Sequence, residues 1–229
     1  EESITKFTES VNDFEDTDPT IPSVAAICVY PNFVSTVRET LTAENVKVAS
    51  VSGCFPASQS FIEVKLAETA LAVSDGADEI DIVLNMGKFL SGDYEAAATE
   101  IEEQIAAAKG ATVKVILETG ALKTPENIRR ATILSLFCGA HFVKTSTGKG
   151  YPGASLEAAY TMCKVLKQYY GLFGEVRGIK LSGGIRTTED AVKYYCLIET
   201  LLGKEWLTPA YFRIGASSLV DALRQDIMV

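Results

Sequence analysis

One histidine in 229 residues leaves little room for histidine chemistry. That residue, His141, has no cluster of cysteines or acids around it, which argues against a zinc site. A serine–histidine–aspartate triad would have the same single candidate, and a structural role just ahead of a strand suits His141 better. Cysteine is scarce as well. Cys28, Cys54, Cys138, Cys163 and Cys196 are odd in number and form no CxxC pair, the pattern of free thiols in a reducing cytosol. Basic side chains are outnumbered, 21 Lys+Arg against 30 Asp+Glu, for a formal net charge of -9. So acidic a chain lacks the basic footprint of a nucleic-acid binder, yet it can still hold a phosphate locally. No apolar run approaches the roughly 18 residues of a membrane span, so no membrane partner is expected. The opening Glu1-Glu2-Ser3 has neither the basic end nor the apolar stretch of a signal peptide, and a cytoplasmic protein is the expectation.

What is present is an ordinary globular composition, 47% hydrophobic and 22% charged. The length suits a single barrel of roughly 200–250 residues. Seven segments read as buried strands: 25–31 (AAICVYP), 46–52 (VKVASVS), 79–85 (EIDIVLN), 113–120 (VKVILETG), 142–148 (FVKTSTG), 177–184 (RGIKLSGG) and 212–218 (FRIGASS). Helical patterns fill the gaps. Residues 92–109 carry Tyr94, Ala97, Ile101 and Ile105 at helical spacing, and Thr124-Pro125-Glu126 opens a helix with a cap and an N1 proline. Ser155-Leu156-Glu157 and Thr187-Thr188-Glu189-Asp190 open two more. Uninterrupted alternation predicts a parallel sheet in one domain spanning residues 1–229. A closed (β/α)8 barrel and an open doubly wound sheet both satisfy that pattern. Ile4, Phe7, Val11 and Phe14 mark an amphipathic helix ahead of the first strand. In a βα series a helix follows a strand, so a strand is expected before this one that the 229 residues do not contain; a short N-terminal helix decorating a smaller sheet is the alternative.

Side chains alternate between the faces of a strand. With Ile80, Ile82 and Leu84 under the helices, Asp81 points inward; by the same parity so do Lys144 and Lys180. Lys114 and Glu118 share a parity on their own strand, and Arg213 is the charged residue of the last. Burying an isolated charge costs several kcal/mol, so an interior keeps charges that compensate one another or perform chemistry. Two neighbouring lysines suggest a reaction. An unperturbed lysine has a pKa of about 10.4; desolvation and a nearby cation lower it and free the amine to attack a carbonyl. The resulting iminium stabilises a carbanion on the adjacent carbon, and a carboxylate such as Asp81 can move the protons. These are the parts of a metal-free aldolase. A second signal lies at the ends of the last two strands, where Ser182-Gly183-Gly184-Ile185-Arg186 and Gly215-Ala216-Ser217-Ser218 each precede a helix. Glycines admit a close backbone approach and helix N-termini offer free N–H groups, the usual makings of a barrel phosphate site. Thr147-Gly148-Lys149 can add a third wall.

The ordered blocks AAICVYP, LAETALAVSDGADEIDIVLNMG, SGDYE, KVILETG, FVKTSTG, IKLSGGIRT and RIGASS resemble the 2-deoxyribose-5-phosphate aldolases, class I aldolases with a (β/α)8 TIM barrel. The resemblance runs from about Ala25 to Ser218. It implies Lys144 as the Schiff-base lysine, Lys180 as the second lysine that lowers its pKa, and Asp81 as the carboxylate of the proton relay. It implies Cys28 as a residue lining the substrate pocket, with a small buried filler as the alternative. It places Gly148, Lys149, Gly183, Gly184, Arg186, Gly215, Ser217 and Ser218 around a substrate phosphate. The implied reaction is reversible cleavage of 2-deoxy-D-ribose 5-phosphate to D-glyceraldehyde 3-phosphate and acetaldehyde, with no metal or organic cofactor. The departures are the family's first strand, with its Asp-x-Thr type motif, which nothing before Ile4 supplies, and Ser182 where some members have alanine. A sugar-phosphate isomerase that forms no imine, or a non-catalytic phosphate binder, would share many of these features. The sequence does not fix an oligomeric state; a homodimer is the expectation.

Overall fold

A computed structural model describes residues 1–17 and 21–227, with the side chains of residues 14–17 left out. All seven expected strands are present: β1 (Ala26–Val29), β2 (Lys47–Val51), β3 (Glu79–Val83), β4 (Thr112–Ile116), β5 (Phe142–Lys144), β6 (Gly178–Ser182) and β7 (Phe212–Gly215). They pair in parallel in chain order, β1 to β7, in one sheet. Helix α1 (Glu2–Thr17) precedes them, α2 (Val34–Thr40), α3 (Ile62–Ser74), α4 (Met86–Leu90), α5 (Tyr94–Ala107), α6 (Thr119–Leu122), α7 (Pro125–Phe137), α8 (Leu156–Phe173) and α9 (Thr188–Leu202) run between them, and α10 (Leu219–Ile227) follows. The sheet is strongly curled. Strand spacings of 4.7–4.9 Å would put β3 and β7 about 19 Å apart in a flat sheet. Instead Arg213 Nη2 on β7 lies 2.8 Å from Glu79 Oε1 on β3. The result is a barrel-type sheet of seven strands; among the described residues no strand joins β1 to β7.

The alternation read from the sequence divides two environments. Ile80, Ile82, Val113, Val115, Val143, Ile179 and Leu181 are buried with the helices in one continuous apolar core. The intervening positions form the inner face, which carries the charges. The helix starts follow the cap residues: Asp93, Thr124, Ser155 and Thr187 each accept the N–H three residues on. All seven strands are shorter than the expected segments, and two of them end four residues early. The segment 113–120 stops at Ile116 because Glu118 takes a left-handed backbone (φ 54°) and a turn of helix follows. The segment 142–148 stops at Lys144.

Helix α1 forms, but its buried stripe differs from the one hydrophobicity suggests. Val11 is buried and Ile4 packs against the core, while Phe7 is exposed and Thr8 is fully buried. The Thr8 hydroxyl donates to Ile4 O, which removes the cost of burying it. The side chain of Phe14 lies outside the described residues. Asn12 fastens α1 to the end of α2, donating to Thr40 O and accepting from Thr42 N and Ala43 N. On the far side of the sheet the buried Trp206 packs edge-on to Tyr170 of α8 and donates to Arg177 O, next to β6.

Phe142 closes the floor of the inner face. Its ring lies under the Lys114 ammonium and the Arg213 guanidinium, 5.8 and 5.7 Å from its centroid. The ring fills the space beside Gly178, where an added Cβ would come within 2.4 Å of it. Gly178→Ala should therefore cost about 1–3 kcal/mol through overpacking. Urea denaturation checks this: the midpoint should fall with the m-value unchanged, and an unchanged midpoint would show that the ring has room to step aside.

Candidate active site

Asp81 is the centre of the inner face, fully buried on β3. Lys114 Nζ on β4, directly opposite in register, lies 2.9 Å from its Oδ1. Lys144 Nζ on β5 and Lys180 Nζ on β6, also opposite each other, each lie 2.8 Å from its Oδ2. One turn of the pleat below, buried Glu79 accepts Lys114 at 2.7 Å and Arg213 at 2.8 Å. The charges thus form a chain: Arg213, Glu79, Lys114, Asp81, then the pair Lys144 and Lys180. Four basic groups face two carboxylates.

That imbalance sets the protonation states. Burial pushes the Asp81 carboxyl up, but Lys114, Lys144 and Lys180 together hold it well below the usual carboxylate range. Burial likewise raises Glu79, and Lys114 with Arg213 outweighs it, so the net direction is down. The two lysines on Oδ2 diverge. Burial lowers Lys144, the Lys180 charge lowers it further, and Asp81 only partly opposes them, so its pKa lies below that of an ordinary lysine. Lys180 is desolvated too, but Asp81 outweighs that and its pKa is raised. One member of the pair is thus poised to lose its proton while the other keeps it, the division expected when two cations share one anion.

Beyond Lys144 the chain is held from both sides. Thr119 N donates to Thr145 O, and on the β6 side Ser182 N donates to Thr145 Oγ1 and Ser182 Oγ to Ser146 O. Ala154 N donates to both Ser182 O and Gly183 O at 3.0 Å. Gly183 has φ 88° and lies against Gly153, whose added Cβ would meet Gly183 O at 2.2 Å, so these two loops touch backbone to backbone. Thr147 and Glu118 are joined by a hydroxyl-to-carboxylate hydrogen bond. Burial raises the Glu118 carboxyl, and the two hydrogen bonds from Thr147 offset this only in part.

The profile described as DeoC/LacD family aldolase matches residues 5–200. The chain belongs to the DeoC/LacD aldolases. Human deoxyribose-phosphate aldolase is 40% identical over 207 residues, covering 90% of this chain and 65% of that protein. The chain therefore spans about two thirds of that relative's length. Among solved structures, deoxyribose phosphate aldolase from Aeropyrum pernix is 32% identical with a TM-score of 0.68, over 88% of this chain and 77% of that one. An aldolase named QR15 is 29% identical with a TM-score of 0.79, over 100% and 91%.

Within this DeoC/LacD-type sheet the expected residues fall into two groups. Asp81, Lys144 and Lys180 are in direct contact. Gly148, Gly183 and Gly215 lie at the C-terminal ends of adjacent strands, Gly148 against Gly183, and Gly215 paired with Ser182. Lys149, Gly184, Arg186, Ser217 and Ser218 are exposed on loops at the same end, the serines immediately before α10. Cys28 on β1 is exposed, not a buried filler, and lies within electrostatic reach of both Lys144 and Lys180. Glu79 is not singled out by the sequence, and Lys114, Glu118 and Arg213 stand out there only as strand charges without a role. Glu79 shares the parity of Asp81 two residues on, and that spacing is the signal that could have found it. Lys114 carries an inward parity but revealed no partner. Glu118 lies past the end of its strand, where parity no longer applies.

Proposed function

We propose that the chain cleaves 2-deoxy-D-ribose 5-phosphate reversibly to D-glyceraldehyde 3-phosphate and acetaldehyde, through a Schiff base on Lys144. The observation that carries this is the pair of ammonium groups 2.8 Å from one buried carboxylate oxygen, with Lys144 the member whose pKa is lowered. The free Lys144 amine attacks C1 of the open-chain sugar. The C1 oxygen takes a proton and leaves as water, giving the iminium. Lys180, whose pKa is raised, remains charged at neutral pH and so stays as the cation that keeps the Lys144 pKa low. A base takes the proton of the C3 hydroxyl, the C2–C3 bond breaks, and its electron pair moves to C2 as the iminium becomes an enamine. Glyceraldehyde 3-phosphate departs, C2 is protonated, and water hydrolyses the second iminium to release acetaldehyde and restore the amine. Asp81 moves the protons directly or through water. It also meets a positive charge at Nζ in both the ammonium and the iminium, so its ion pair survives imine formation.

The excess of basic groups over carboxylates favours an anionic substrate. The phosphate site of this reading comprises Thr147, Gly148, Lys149, Gly183, Gly184, Arg186, Gly215, Ser217 and Ser218, with Cys28 beside the lysines. One barrel domain over residues 1–229 belongs to the same proposal, as does a homodimer; the Aeropyrum pernix relative is described as tetrameric. All five cysteines are unpaired, in keeping with a cytoplasmic protein. No described helix is long and apolar enough to cross a membrane.

Borohydride reduction in the presence of deoxyribose 5-phosphate, followed by intact mass and peptide mapping, tests the proposal. The expected result is a stable adduct on Lys144. Turnover of a sugar phosphate with no adduct on any lysine would favour an isomerase-type reaction instead, and an adduct on Lys180 alone would exchange the two roles.

A further inference from the structure

The turn at 147–149 is exposed at Gly148 and Lys149, yet it is tied to a buried anchor. Glu118 is 1% exposed and holds φ 54°, a left-handed backbone that non-glycine residues rarely adopt and that persists only where the surroundings impose it. Here they do. Leu117 N donates to Lys144 O and Thr119 N to Thr145 O, both at 2.9 Å, so the residues flanking Glu118 are stitched to the continuation of β5. The Glu118 side chain then reaches one step further along that continuation. Its Oε1 accepts the Thr147 N–H at 3.3 Å, and its Oε2 accepts the Thr147 hydroxyl. Thr147 Oγ1 accepts the Lys149 N–H at 3.1 Å. A buried carboxylate thus fixes Thr147, and Thr147 fixes Lys149.

We propose that Glu118 is a positioning residue for substrate phosphate, acting through the Thr147–Lys149 turn and making no contact with the reacting carbons. This rests on the reading of that turn as part of the phosphate site. Without the carboxylate the turn loses the acceptor that both Thr147 donors share, and its glycine-flanked tip, Gly148-Lys149-Gly150, keeps only local hydrogen bonds. The part of the substrate that suffers is the phosphate, while the lysine pair on Asp81 keeps its own contacts.

The test compares the parent with Glu118→Gln, Thr147→Val and the double variant. Each is assayed on deoxyribose 5-phosphate and on unphosphorylated 2-deoxyribose, with inorganic phosphate as inhibitor. Glu118→Gln should lower kcat/KM on the phosphorylated sugar about tenfold more than on the unphosphorylated one, the scale of one lost hydrogen bond to a charged group. The loss should appear in KM, and inhibition by inorganic phosphate should weaken by a similar factor. Thr147→Val should do the same, and the double variant should be no worse than either single, because both remove one coupled interaction. If Glu118→Gln fails to fold, Glu118→Asp, which keeps the charge but shortens the reach to Thr147, carries the same comparison. Equal losses on both sugars, or a fall in kcat at constant KM, would overturn the proposal and assign Glu118 to the lysine centre or to the fold alone. A parent with no preference for the phosphorylated sugar and no inhibition by phosphate would overturn the phosphate site itself. A parent with both properties and variants that keep them would overturn only the role of Glu118.

Discussion

Asp81→Asn should lose about 10²–10⁴-fold in turnover, the usual contribution of a general acid–base group, and should also unfold more easily than the parent. The carboxylate receives Lys114 on one oxygen and Lys144 with Lys180 on the other. Asparagine keeps the shape but replaces one acceptor with a donor aimed at an ammonium group. It leaves Glu79 as the sole inner carboxylate among four basic groups. Removing one partner of a buried ion pair costs about 3–5 kcal/mol, and the lysines can relieve part of that by giving up protons. The borohydride adduct should therefore still form in the variant, and at lower pH than in the parent, while cleavage fails. The stability gap has a definite pH dependence. The folded-state pKa of Asp81 is depressed, so its contribution is fully present above the unfolded value of about 4 and disappears as pH falls through the folded one. The parent should exceed the variant in urea midpoint at neutral pH and converge with it in strong acid. Near-parental turnover would reassign Asp81 to holding the barrel together.

Lys180→Leu should slow imine formation about 10–100-fold at neutral pH, with partial recovery toward pH 9–10, since each unit of pKa is a tenfold change in free amine. Two effects add. The substitution removes a cation that lowers Lys144, and it leaves Asp81 Oδ2 to Lys144 alone. Both raise the pKa of Lys144 and keep it protonated. Lys144→Leu should give no adduct at any pH. Rates of borohydride-trapped adduct between about pH 6 and 10, with peptide mapping, separate these outcomes. A Lys180→Leu profile that coincides with the parent's would remove Lys180 from the control of Lys144.

Much of this architecture could be read from the chain because strand alternation is a local property. The pattern of Ile80, Asp81 and Ile82 states by itself which side chain faces inward, and Lys144 and Lys180 follow from the same parity. What alternation does not state is who meets whom. The bridge from Lys114 to both Glu79 and Asp81 depends on inter-strand register, and the contact of Arg213 with Glu79 depends on curling across the sheet. Helix α1 shows a different limit. An apolar scale favours Phe7, but Thr8 is the residue that sinks, because its hydroxyl finds a carbonyl within its own helix. Lys65 is more opaque still: it is fully buried on α3, and its partner Glu100 lies on α5, 2.7 Å away. The end of β4 was hidden because Glu118 breaks the strand through a backbone conformation that its residue type does not advertise.

Trp206 is the single tryptophan of the chain, and it is buried beside Tyr170 with its indole N–H bonded to Arg177 O, just ahead of the strand that carries Lys180. The molecule therefore contains one indole fluorophore beside its nine tyrosines, and it is placed where loosening of β6 alters its surroundings. Emission excited in the indole band reports on that side of the barrel without a label and without a second tryptophan to average over. The unfolding of the Asp81 and Lys180 variants can be followed by light from the chain itself, apart from any assay of their chemistry.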